Sequence, residues 1–244
     1  VLQIGRFGGA PDAADLAAMT LDASDRDAMR ACRPGACNLR LPAAAMERFR
    51  GSVPWGTPRE AAAAAAAMRE FLAEEARTYL ARGSAALPDY ADRSGTIPRA
   101  EAFRQLLRPS EFRAESQPEL FRWLADYPRV APDGADSFLY WSREKFGLKP
   151  TISISHSVLF RGNGGVVFAS KQIFASHYFD ASLGMALYVP AGDGVHGYVT
   201  YLNRSRVDTL RGFLAGLARR VAARRGREGL ERMLLGVKAK LEKP

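Results

Sequence analysis

The chain has 244 residues, 47% hydrophobic and 25% charged, a balance that excludes disorder throughout and allows a substantial core in one large domain or two small ones. No apolar run approaches the roughly 20 residues that span a bilayer, and no coiled-coil, collagen or solenoid period runs through the sequence. The formal net charge of +9 is concentrated: residues 204–244 hold twelve Lys or Arg against four acids and so carry +8 of it. An electrostatic partner should therefore meet the C-terminal segment.

Residues 1–7, VLQIGRF, read as a short strand closed by Gly8 and Gly9. Helical signals dominate from there to about residue 147. Asp12 to Met19 and Ser24 to Ala31 are short helices, the second with Ser24 and Asp27 at capping-box spacing. Cys32 and Cys37 follow in CRPGAC, where Pro34 and Gly35 favour a turn that brings the two Cα atoms within disulfide range. A bond there implies an oxidising compartment, and two free thiols are the alternative. The C-x4-C spacing has no nearby histidine to complete a zinc site, and the C-x-x-C-H of haem attachment is missing. Pro42 to Arg50 gives another short helix, stopped by Gly51.

The strongest helix lies between Thr57 and Gly83. Thr57 is the N-cap, Pro58 sits where a missing N–H costs nothing, Glu60 completes the capping box and Gly83 suits a left-handed C-terminal cap. Ala64, Ala65, Met68, Phe71, Leu72 and Tyr79 form its buried stripe. Shorter helices follow at Arg99 to Leu107, Ser116 to Asp126 and Ser137 to Phe146. At Pro150 the period changes to two: Ile152, Ile154, His156, Val158 and Phe160 share one face, while Thr151, Ser153, Ser155 and Ser157 occupy the other, as in a strand with one wet side. RGNGG at 161–165 is a turn, Val166 to Phe179 a long second strand, and Met185 to Val189 and Tyr198 to Leu202 two more around AGDG. Turns this short make the neighbours antiparallel. Ser205 and Asp208 then cap a final helix on which Val207, Leu210, Leu214, Leu217 and Val221 form one apolar face.

Few residues carry a signal of chemistry. Ser142 and Lys145 have the S-x-x-K spacing of a lysine-activated serine, but the S-D-N and K-T-G elements that accompany it are missing. His156 and His177 both fall on expected strands and titrate near neutral pH; in a meander they can face one concavity, with Tyr178, Asp180 and Ser182 close by. For His156, among apolar neighbours, the simpler reading is a hydrogen-bonded core residue. An enzymatic reading uses His177 as base with Asp180 or Ser182, or Cys32 and Cys37 as a thiol-redox pair, although residues 177 and 180 point to opposite faces of a regular strand. His196 sits beside a glycine turn and reads as solvated. Three histidines without paired carboxylates make no metal site, and GNGG joins two strands instead of a strand and a helix, so neither metal nor cofactor is expected. Arg219, Arg220, Arg224 and Arg225 lead the densest charge cluster, read as a solvated helix face or a contact with an anionic membrane surface. Nucleic acid is disfavoured because no aromatic residues interleave with the arginines.

These elements predict an α+β fold in a single domain over residues 1–244, with a helical segment at 10–147, an antiparallel meander at about 151–203 and a long C-terminal helix packed on the sheet. The segments CRPGACNLRLP, YWSREKFGLKP, ASKQIFASHYFDASL and YLNRSRVDTLRG resemble parts of an uncharacterised family of exported bacterial proteins, over most of the chain. The resemblance implies a periplasmic or secreted protein and no particular activity; Val1 is not a translation start, in keeping with a processed or trimmed N-terminus. The meander with its terminal helix also resembles the later half of the helix-grip lipid-binding architecture. The function expected is that of a non-enzymatic binding protein, holding an apolar or amphipathic small molecule between sheet and C-terminal helix. Its ligand-binding residues would be His156, Phe160, Phe174, His177 and Tyr178, within an aromatic set that includes Phe168, Phe179 and Tyr188. A structural or partner-binding protein is the third class.

Overall fold

A computed structural model describes residues 1–93, 95–107, 118–129, 131–145, 149–162, 164–193 and 195–207, together with residues 231, 234–236, 238–240 and 242. The chain divides into two compact units, Val1–Arg206 and Val207–Pro244. In the second, Lys238 and Glu242 form an ion pair one helical turn apart, at 3.7 Å. The first unit holds β1 (Gln3–Arg6), α1 (Ala23–Ala31), α2 (Ala43–Ser52), α3 (Glu60–Arg82), the antiparallel pair β2 (Tyr90–Arg93) and β3 (Gly95–Ile97), α4 (Arg99–Leu107) and α5 (Pro118–Asp126). Five strands follow: β4 (Ala135–Lys145), β5 (Pro150–Gly162), β6 (Gly165–Ala175), β7 (Phe179–Pro190) and β8 (Gly197–Val207). With β1 they make a six-stranded antiparallel sheet in the order β1-β4-β5-β6-β7-β8.

The α+β class is therefore correct, but the helical part is less purely helical than expected. Residues 137–145 form most of β4, not a helix, because Leu139, Trp141 and Arg143 alternate with Tyr140 and Ser142 and both edges find backbone partners, β1 and β5. The long strand expected at 166–179 is two, broken at Ser176 to Tyr178, where Tyr178 takes a φ of 66°. Ser205 belongs to β8 and does not begin a helix. The remainder of the expected C-terminal helix, with Asp208, Leu210, Leu214, Leu217 and Val221, lies outside the described residues, as do Arg219, Arg220, Arg224 and Arg225.

Helix α3, the longest among the described residues, meets the sheet through Phe71, edge-on to Phe174 of β6, and through the Tyr79 hydroxyl, bonded to His156 of β5. It starts at Glu60, three residues after the expected cap, since the Thr57 hydroxyl donates to the Pro54 carbonyl at 2.7 Å and the Glu60 carboxylate accepts the Gly56 N–H at 2.7 Å. It ends where expected, at Gly83, with φ +74°; a Cβ there would also collide with the Tyr127 carbonyl oxygen, so only glycine serves. In α1 the cap is Asp22, whose N–H donates to the Asp25 carboxylate at 3.3 Å, in place of the expected Ser24 and Asp27.

The apolar residues collect on one side of the sheet in two clusters. Met29, Phe49, Met68, Phe71 and Leu72 of α1–α3 pack on Leu139, Trp141, Ile152, Ile154 and Phe174. Phe103 of α4 and Leu120, Phe121, Trp123 and Leu124 of α5 pack on Val158, Phe160, Val167, Leu183 and Met185. Each large side chain fully buried in this way stabilises the fold by roughly 1.5–3 kcal/mol. The face of β5 expected to be wet is also buried: Thr151 and Ser157 are 0% exposed and Ser153 is 3% exposed. Cross-strand bonds from Ser142 to Ser153 and from Ser157 to Ser170 satisfy these buried hydroxyls, Thr151 excepted.

Candidate functional site

The strand registers give the sheet a second face of small hydroxyl side chains. Ser142 of β4 lies opposite Ser153 of β5, Ser157 of β5 opposite Ser170 of β6, and Ser170 opposite Gly184 of β7. Ser142 and Ser153 are hydrogen-bonded at 3.0 Å, Ser157 donates to Ser170 at 3.1 Å, and the Tyr140 hydroxyl reaches Ser170 at 3.3 Å. The row continues to Ser182 and Ser205, which bond at 2.8 Å. Thr151 ends it, with a buried hydroxyl that has no hydrogen-bond partner among the described residues. Toward the other end Phe168 and Tyr188 share this face and are exposed.

The five residues expected to line a ligand site are dispersed. His156, Phe160 and Phe174 lie on the helix side of the sheet: Phe160 in the α4–α5 cluster, Phe174 edge-on to Phe71 at 5.4 Å. His177 and Tyr178 occupy the β6–β7 turn. The Tyr178 hydroxyl accepts the Lys149 N–H at 3.0 Å, and His177 Nε2 stands 3.8 Å from Asp25 Oδ1. Asp25 in turn lies 3.5 Å from Arg143, which also pairs with Asp22. Burial would raise the Asp25 carboxyl, but His177, the Asp22 N–H and Arg143 outweigh it and hold the group below the usual carboxylate range.

Asp180, Ser182 and Ser142 each bond a partner other than the one the enzymatic readings assign. Asp180, the expected partner of His177, is bonded by Arg40 at 2.5 Å and Arg206 at 3.2 Å, and Ser182 by Ser205. Ser142 and Lys145 lie on a strand, where a spacing of three sends them to opposite faces, and the Ser142 hydroxyl donates to Glu144 at 2.6 Å. Cys32 and Cys37 are joined as a disulfide, with Cys32 wholly buried. Their loop is stitched to β2 by Gly35 N–H to Ala91 O (2.8 Å) and Cys37 N–H to Asp92 O (3.0 Å). That strand brings the Tyr90 ring within cation–π distance of the guanidiniums of both Arg40 (4.8 Å) and Arg99 (4.6 Å). Arg99 also pairs with Glu75 at 2.6 Å and donates to the carbonyls of Pro88 and Ile173.

A buried lysine on the helix side was not singled out from the sequence. Lys171 lies directly across from His156 in the β5–β6 register and is 1% exposed. Its Nζ donates to the Leu124 carbonyl at 2.6 Å and lies 4.2 Å from the Phe103 ring centroid and 5.3 Å from that of Tyr79. The Tyr79 hydroxyl meets His156 Nδ1 at 2.8 Å. Burial, with the nearby Lys171 charge, depresses His156 to about 3, while burial and the Arg104 charge, against Asp126, bring Lys171 down to about 7. The signal was the alternation itself, since Val167, Ala169 and Lys171 share a face. No group of three or more histidine, cysteine or acidic residues suited to a metal occurs among the described residues. No family model matches the chain, and neither a curated protein nor a solved structure matches it.

Proposed function

We propose that the protein is a non-enzymatic binding protein for an amphipathic small molecule, held on the hydroxyl face of the sheet. The polar end of the ligand meets the row from Thr151 to Ser182, and its apolar body lies along Phe168 and Tyr188. The observation that carries this reading is the row of small hydroxyls ending in the unpartnered hydroxyl of Thr151. A buried donor without a partner costs about 1–3 kcal/mol, which a ligand oxygen would recover, and paired serines can exchange partners at little cost. The aromatic residues first suited to the ligand, Phe160 and Phe174, are instead committed to the core. The disulfide supports an exported protein, periplasmic or secreted. In the same reading the arginines of residues 219–225 bring it to an anionic membrane surface.

Organic extraction of the purified protein followed by mass spectrometry tests the proposal. The expected result is a stoichiometric amphiphile from the wild type and its loss from Ser157→Leu, which fills the middle of the row. An empty wild type, or the same ligand retained by the variant, would contradict it.

A further inference from the structure

The two edges of the six-stranded sheet differ. β1 is only four residues long and is tied to residues 18–20, its Gln3 side chain donating to the Ala18 carbonyl at 2.9 Å and accepting the Thr20 N–H at 3.2 Å. β8 is eleven residues long, and among the described residues no strand lies on its outer side. Its first half is exposed, Tyr198 to 72%, and Val195 just before it to 82%. Residues 197–203, GYVTYLN, contain neither a charge nor a proline, the devices that keep an edge strand from adding a neighbour, while Tyr, Val and Thr favour a strand. The start of β8 is fixed by its turn: the Ala191 N–H donates to the His196 carbonyl at 2.8 Å, and the Asp193 carboxylate accepts the Val195 and His196 N–H groups.

We propose that β8 is a self-association edge, along which a second copy of the chain pairs antiparallel about a two-fold axis through Val199. The order of charge along the strand selects this partner. Asp193 precedes β8, Arg204 and Arg206 lie near its end, and the residues between 197 and 203 are neutral. An antiparallel pair centred on Val199 sets the turn holding Asp193 of each copy alongside Arg204 and Arg206 of the other, whereas a parallel pair in register sets arginine against arginine. The Asp193 side chain, bonded to the His196 ring at 2.6 Å, is still half exposed. Arg206 is held by Asp180, but Arg204 forms no ion pair among the described residues. The strand is therefore its own complement, as a two-fold interface requires. Pairing gives the outer backbone groups of residues 197–203 their hydrogen-bond partners and takes Tyr198 and Val199 out of water. The assignment concerns the edge of the sheet and does not depend on the ligand reading.

Sedimentation equilibrium of the full chain across a roughly hundred-fold range of concentration is the test. A species of twice the 26.7 kDa chain mass is expected, with its Kd raised at least ten-fold in Val199→Lys, which sets two cations against each other at the centre of the pair. A wild type that stays monomeric, or a folded Val199→Lys that dimerises as tightly as the wild type, would overturn the proposal. Cross-linking gives a second readout that needs no loss of association. Cys32 and Cys37 are already bonded to each other, so an introduced thiol has no native competitor. Under mild oxidation Val199→Cys should form a covalent dimer, and Ile4→Cys on the opposite edge should not. Cross-linking of Ile4→Cys alone would place the contact on β1 and overturn the assignment to β8.

Discussion

The two faces of the central sheet use the same backbone to opposite ends. On the helix side, Trp141, Ile154, Phe160 and Phe174 interlock with α1–α5 and leave little space. On the other, Ser142, Ser153, Ser157, Ser170 and Ser182 present short hydroxyls that satisfy each other across the strands. The contrast separates the residues that make the helix-side core from those to which we assign the ligand. Large aromatic side chains are attractive ligand contacts when seen in a sequence, but here the helices have taken them.

Mutation should break this comparison most visibly on the helix side. Phe174→Ala or Trp141→Ala is expected to cost about 3–5 kcal/mol in urea unfolding, through lost transfer energy and a residual cavity. Arg99→Met should cost a similar 3–5 kcal/mol, because it leaves Glu75 buried and unpaired. Helix-side losses of less than 1 kcal/mol would mean that this face is not the structural one.

The titratable pair on the helix side gives the next effect. His156 is held near 3 against an ordinary 6.5, so the unfolded chain binds more protons between those values and stability falls as pH drops through them. The slope contributed is about 1.4 kcal/mol per pH unit in the steepest part, and His156→Gln should remove it. For Lys171, near 7 in the fold and 10.5 outside it, stability should rise with pH across that window, and Lys171→Met should flatten the rise. Denaturant midpoints measured at successive pH values check both signs.

Smallest is the expected effect of the hydroxyl side on stability: Ser157→Ala should change it by about 1 kcal/mol or less, one neutral hydrogen bond. A separate test concerns the basic segment. Binding to acidic vesicles should weaken steeply with salt and fall when Arg219, Arg220, Arg224 and Arg225 become Gln, each residue contributing on the order of 1 kcal/mol.

Much of the fold was legible because local signals agreed. Gly83 as a helix stop, α4 from Arg99 to Leu107 and the alternation of Ile152 to Phe160 all follow from nearest-neighbour chemistry. The identity of β4 was not, since its strand state depends on β1, more than 130 residues away, and on β5. The same limit governs the site. Alternation showed that Ser153, Ser155 and Ser157 share a face, but their cross-strand partners Ser142 and Ser170 come from other strands, and so does the Arg40 that binds Asp180. His177 finds Asp25 on α1, a contact that no spacing encodes.

The most direct measurement is a fluorescence titration of the wild type, Ser157→Leu and Phe174→Leu with an acyl-chain carboxylate bearing an environment-sensitive dye. If the ligand lies on the hydroxyl face, Ser157→Leu should weaken Kd by about ten-fold or more, equivalent to at least 1.4 kcal/mol, while Phe174→Leu leaves it within about two-fold. Weakening confined to Phe174→Leu, or no saturable binding by the wild type, would contradict that assignment.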